Sequence, residues 1–161
     1  MRIEEKIGAA LRGTGKTLSV AESCTGGQIS HLVTMVSGSS EYFLGSVTSY
    51  AISVKERVLD VENEVISRYG VVSPEVAAAM AEGVRKLTGS TYAISTTGLA
   101  EGGDDRYPEG TVWIAVASES KTWTRMYQCN HGRKGNIRSF ATAALNFFFT
   151  FCLSSDSLKR T

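Results

Sequence analysis

Residues 17–36 read TLSVAESCTGGQISHLVTMV, and the order of residue types in this stretch decides the fold class. Thr17 to Ala21 fits a short buried strand, while Ile29, Leu32, Val33 and Val36 recur at the spacing of one helix face from Thr25 onward. Between them lies AESCTGG, a glycine-containing tight turn at the carboxyl end of the strand. Strand, turn and helix make the repeating unit of an α/β sheet, and ligands bind such sheets where strand ends face helix N-termini. Ser23, Thr25, Gly26 and Gly27 therefore form a candidate anion cradle, with hydroxyl donors and close backbone approach. The same residues also fit a turn in which Ser23 or Thr25 only caps the helix.

The pattern continues outward on both sides. Ile3, Ile7 and Leu11 give an amphipathic first helix. Tyr42 to Tyr50 reads as a strand, followed by a helical turn around Ser53 to Val58 and a helix through Val65, Ile66 and Tyr69 that Gly70 closes. Ser73-Pro74-Glu75 starts a further helix, with Ser as cap and Pro at the first helical position, and Gly89 stops it. Thr91 to Thr96, Thr111 to Ala117 and Lys121 to Cys129 read as strands, the last two forming a hairpin, and Arg133 to Leu153 as a long closing helix. Helices interleaved with strands predict one α/β domain over 1–161, a three-layer α/β/α sandwich on a mixed, mostly parallel sheet. The run Phe147, Phe148, Phe149 with Phe151 cannot face a single core, because successive helical positions point about 100° apart. It fits either a helix sandwiched within the domain or a homodimer contact, and a homodimer is expected.

The 161 residues carry 17 Lys and Arg against 16 Asp and Glu, a formal charge of +1. That balance argues against nucleic-acid and anionic-membrane partners, which select a basic excess or stripe. Cys24, Cys129 and Cys152 are widely spaced and bring no Cys/His cluster, so neither a disulfide framework nor a zinc site is expected. The apolar stretch 141–153 is too short to span a bilayer, which takes about 20 residues, and a cytoplasmic location is expected.

Three further segments could carry chemistry. Gly38-Ser39-Ser40 precedes the strand that delivers Tyr50 and then Lys55; a lysine in a dry pocket can be neutral and deprotonate a serine. Spacing alone does not select these residues over a common turn, a strand-end aromatic and a solvated lysine. The Gly-rich loop from Gly98 to Gly110 connects two strands and suggests a lid or substrate loop, whose Asp104 and Asp105 fit solvation better than a metal. His131-Gly132-Arg133, with Arg138, offers guanidinium forks for phosphate or carboxylate.

Taken together, TLSVAESCTGG (17–27), SGSSEYFLGSVTSYAISVKERVLDV (37–61), YGVVSPEVAAAMAEGVRK (69–86), STTGLA (95–100), PEGTVWIAVA (108–117) and HGRKGNIRSFATAAL (131–145) resemble the CinA C-terminal family, the nicotinamide-mononucleotide amidases of PncC type. The resemblance covers nearly the whole chain. It implies deamidation of nicotinamide mononucleotide to the acid nucleotide and ammonia, a step in pyridine-nucleotide recycling, with a small-molecule nucleotide as substrate and neither metal nor cofactor. It implies a serine nucleophile with Lys and Tyr, a pattern that falls on Ser40, Tyr50 and Lys55, with an oxyanion held near the Ser39-Ser40 turn. The cradle residues Ser23, Thr25, Gly26 and Gly27, with Ser39, Gly98 and Arg133, would then surround the nucleotide. Two departures bear on substrate identity: Ile52 stands where the family commonly has Asn, and Gly98-Leu99-Ala100-Glu101-Gly102-Gly103 replaces a loop that commonly carries Gly-Pro. The alternatives are a thiol amidase using Cys24, whose pKa would fall at a helix N-terminus, and a non-catalytic nucleotide-binding or scaffold protein.

Overall fold

The computed structural model describes residues 1–154. Helix α1 (Ile3–Leu11) leads into β1 (Leu18–Glu22), the turn 23–27, α2 (Gln28–Thr34), a single tight helical turn at Ser39–Glu41 and β2 (Phe43–Thr48). Three helices follow, α3 (Ile52–Arg57), α4 (Asn63–Tyr69) and α5 (Pro74–Thr88), and then β3 (Tyr92–Leu99), β4 (Thr111–Ala117) and β5 (Thr122–Gln128). Helix α6 (Gly132–Phe148) closes the described chain and widens into a π-type turn at Phe149–Leu153.

The five strands form one sheet in the order β2-β1-β3-β4-β5. β1 runs parallel to both β2 and β3, while β4 is antiparallel to β3 and to β5. Four strands thus share one direction and β4 opposes them, as the mixed sheet predicted. The extra detail is that the polar loop 100–110 is itself a reversal between neighbouring strands, so the antiparallel part of the sheet contains β3 as well as the β4–β5 hairpin.

Burial sorts the helices into two layers. α1, α2 and α6 cover one sheet face through a core that includes Ile7, Leu11, Ile29, Phe140 and Leu145. α5 covers the other with Val76, Ala77, Met80, Ala81 and Val84, joined by Leu59 and Ile66. Each fully buried aliphatic or aromatic side chain contributes roughly 1.5–3 kcal/mol. β1 is buried along its whole length because both of its faces are covered. α5 is bounded as its sequence predicts: Ser73 Oγ accepts the Val76 N–H at 3.2 Å, Pro74 takes the first turn and Gly89 ends it at φ 72°. The phenylalanine run is largely taken up within the chain. Phe147 and Phe148 are buried, Phe147 packs edge-on against Phe151 at 4.8 Å, and Tyr92 meets Phe148 at 5.5 Å.

Candidate active site

Parallel β1 and β2 deliver their carboxyl ends side by side, with Glu22 opposite Thr48. The residues that follow, Ser23 and Ser49, therefore emerge together, and α3 returns Lys55 to the same place. Lys55 is only 1% exposed. Its Nζ lies 2.9 Å from Ser23 Oγ, 2.6 Å from the Ser49 carbonyl and 3.3 Å from the Tyr50 carbonyl. Burial lowers its pKa from 10.5 to about 8, and the neighbouring Cys24 opposes that shift. A neutral amine has two N–H donors, which the two carbonyls accept, and one lone pair, which then faces the Ser23 hydroxyl.

Glu22 sets the turn that carries Ser23. Its side chain is fully buried and accepts from Thr25 Oγ1 at 2.6 Å, the Ile29 N–H at 2.9 Å, the Ser30 N–H at 3.0 Å and Ser30 Oγ at 2.6 Å. A carboxylate at the start of α2 satisfies amides that have no helical partner. Thr25 is consequently directed inward, sharing a further 2.9 Å hydrogen bond with Thr96. Beside Ser23, Cys24 is buried and its thiol is pushed up to about 12 by desolvation. It is a protonated core thiol, contrary to the depressed pKa that a helix N-terminus alone predicts.

A cleft of about 310 Å³ opens over this pair, lined by Ser23, Cys24, Tyr50, Ile52, Lys55, Val71, Val72, Thr97 to Glu101 and Arg133. Tyr50 stands at its mouth, 63% exposed, and its hydroxyl accepts from Arg133 Nη2 at 3.4 Å. Arg133 also faces Glu101 at 3.7 Å. The loop behind Glu101 is pinned at two places. Asn136, fully buried in α6, donates to the Ala100 carbonyl at 2.9 Å and accepts the His131 N–H at 2.9 Å. Asp104 accepts the N–H groups of Arg106 and Tyr107 at 2.9 and 2.7 Å, an Asx turn that gives it a structural task in the loop.

Of the residues expected at the site, Ser23, Tyr50, Lys55, Gly98 and Arg133 share this cleft. Ser40 does not join them. It lies in the tight turn before β2, exposed, whereas Lys55 follows the far end of that strand. Six residues of strand at roughly 3.3 Å each put about 20 Å between the two ends of the sheet. Ser39 lies at the same wrong end, and its N–H is already bonded to the Val36 carbonyl, so that turn offers no oxyanion site to the cleft. Tyr50 is present but not as expected, since its hydroxyl meets Arg133 and only its backbone carbonyl meets Lys55. Thr25, Gly26 and Gly27 lie outside the cleft lining, where they build the turn. The serine at the lysine is thus Ser23, which the sequence reading placed beside the nucleotide. Its signal was position: a serine directly after a strand, before Gly-Gly and a helix, is where a nucleophile can stand exposed on a sharp turn.

The CinA C-terminal domain model matches residues 1–152. The chain is 45% identical over 146 residues to a CinA-like protein of Cytophaga hutchinsonii and 48% identical over 145 residues to a CinA-like protein of Salinibacter ruber, covering 89% of this chain and 35% of the relative in each case. It therefore spans about a third of the length of the curated relatives it matches. Among solved structures, the competence damage-inducible protein A of Klebsiella pneumoniae superposes with a TM-score of 0.89 at 27% identity, covering 92% of this chain and 94% of that one. The competence/damage inducible protein CihA of Agrobacterium tumefaciens does so with 0.88 at 28% identity, covering 92% of each. With the family match running through both strands that lead into Ser23 and Ser49, the helix that carries Lys55 and the helix that carries Arg133, the chain belongs to the CinA C-terminal domain family.

Proposed function

We propose that this domain is an amidohydrolase that releases ammonia from nicotinamide mononucleotide, with Ser23 as nucleophile and Lys55 as its base. The observation that carries the reading is the buried Lys55 amine, lowered to about 8 and set 2.9 Å from Ser23 Oγ. Lys55 takes the Ser23 proton as Oγ bonds to the carboxamide carbon. The resulting ammonium returns that proton to the departing nitrogen, the C–N bond breaks and ammonia leaves. Water then attacks the acyl-enzyme, giving one proton to Lys55, which restores Ser23 as the carboxylic acid departs. The N–H of the residue after the nucleophile is the usual oxyanion donor in a strand-turn-helix arrangement. Arg133 at the mouth is suited to the nucleotide's phosphate, with Tyr50, Ile52 and Leu99 as walls for its rings.

Incubation of the purified chain with the mononucleotide, followed by ammonia assay, tests the reading. Ser23→Ala and Lys55→Ala should each lower the rate by about a thousandfold or more, while Ser40→Ala stays near the parent. Full activity in Ser23→Ala would sink the assignment. Cys24→Ser separates the thiol alternative, which alone requires near-complete loss in that variant. The non-catalytic alternative has one observation in its favour, the Glu101 carboxylate that already faces Arg133. Under it the mononucleotide raises the melting temperature and is recovered unchanged.

A further inference from the structure

Arg133 and Arg138 are neighbours in sequence and separate in the fold. Five residues of α-helix turn the chain to directions about 140° apart. Arg133 faces the Ser23–Lys55 cleft, whereas Arg138 faces a groove of about 510 Å³ between β5 and α6 that shares no lining residue with it. Ile114 and Tyr127 of the sheet line this groove, and Thr142, Asn146 and Phe147 line it from α6. Arg125 enters from the opposite bank. Its pairing with Ile114 puts it on the α6 face of the sheet, and its guanidinium stacks over Phe147 and Phe151 at 5.1 and 5.0 Å.

That stacking fixes the guanidinium plane and leaves its N–H edges free to donate. Among the described residues, neither Arg125 nor Arg138 has a hydrogen bond or an ion pair, and no Asp or Glu lines the groove. Two cations facing one cavity without a counter-charge repel each other, and an anion between them removes the repulsion. The apolar walls add a surface for a flat ring, and the groove falls within the size range of small-molecule sites. A two-fold contact between copies centred here would bring the same uncompensated pair of arginines from each copy into one interface, so like charge disfavours a second copy as occupant.

We propose that the β5–α6 groove is a second ligand site, for a small aromatic anion whose carboxylate, sulfonate or phosphate is held by Arg125 and Arg138 and whose ring lies against the apolar walls. Nothing in this depends on the amidase reading.

Naphthoate is a suitable probe, because it carries the ring and the charge but no amide. Titrated into the isotope-labelled chain carrying Lys55→Ala, it should shift the amide resonances of Thr142, Asn146 and β5 in a saturable way. Arg125→Gln with Arg138→Gln should weaken that binding about tenfold or more, and uncharged naphthalenemethanol should bind weaker by a similar factor. Both side chains are exposed, and among the described residues Arg138 makes no hydrogen bond, ion pair or ring contact, so Arg138→Gln alone carries the test if the double variant folds poorly. Four results would overturn the proposal: no saturable shift at millimolar probe, shifts centred on Leu99 and Arg133, affinity indifferent to both arginines, or a groove covered by self-association that the same substitutions abolish.

Discussion

Lys55 is the residue on which the chemistry and the stability of the site both turn. Under the proposed mechanism, with its folded pKa near 8, activity should rise with pH through that value and level off above it, because only the neutral amine could take the Ser23 proton. The same shift acts on folding with a definite sign. Between about 8 and 10.5 the unfolded chain keeps a proton that the folded chain has lost, so stability rises with pH in that window; below it both forms are charged and the penalty of burying the ammonium is fully present. Relative to Lys55→Met, denaturant melts should show the parent gaining on the order of 2–3 kcal/mol across this window. A flat difference would mean that Lys55 is not desolvated. Glu22 is buried beside it together with the Cys24 thiol, and its oxygens serve four donors. Glu22→Gln turns an N–H₂ toward donors and should cost about 2–4 kcal/mol in urea melts while lowering turnover, since the turn that carries Ser23 would shift.

At the scale of elements, the boundaries were legible where local chemistry sets them. Ser73-Pro74 and Gly89 bound α5 because a hydroxyl cap, a fixed φ and a left-handed end are properties of single residues. Strand β1 and helix α2 could be read from periodicity, although α2 starts at Gln28 rather than Thr25 because Glu22 draws Thr25 into the preceding turn. Contacts between elements left fainter marks. Gly83 sits mid-helix in α5 with no local reason, and the reason is tertiary: a Cβ there would overlap the Leu59 carbonyl oxygen. Gly83→Ala should therefore destabilise by roughly 1–3 kcal/mol in thermal or denaturant unfolding, although alanine is the better helix former. A neutral or stabilising result would show that the segment after α3 can move away from α5. The phenylalanine run is the converse case. Periodicity required two apolar surroundings for it, and the domain itself supplies most of them through Tyr92, Trp123 and Arg125.

At the scale of the molecule, the sheet order places the cleft. β2, β1 and β3 run in one direction, so the turn after β1, the turn after β2 and the end of β3 converge at one edge, and α6 brings Arg133 to the same edge. Ligand binding should consequently be felt by the whole domain. If the proposed amidase function holds, the mononucleotide at a hundred times its dissociation constant should stabilise the Ser23→Ala chain by about 2.7 kcal/mol, read as a rise in melting temperature, and Arg133→Ala should reduce that rise. By itself the sequence determined the three-layer sandwich and the caps, because periodicity and capping are local consequences of side-chain type; Lys55 and Arg133 stood out only through the family resemblance, since spacing alone does not part them from a solvated lysine and a surface arginine. Only the tertiary structure decided which serine meets the lysine. Ser40 is the nearer along the chain, but a parallel strand separates it from Lys55 end to end, whereas Ser23, farther in sequence, is the neighbour across the sheet; proximity in a parallel sheet is set by register, which no single stretch of sequence contains.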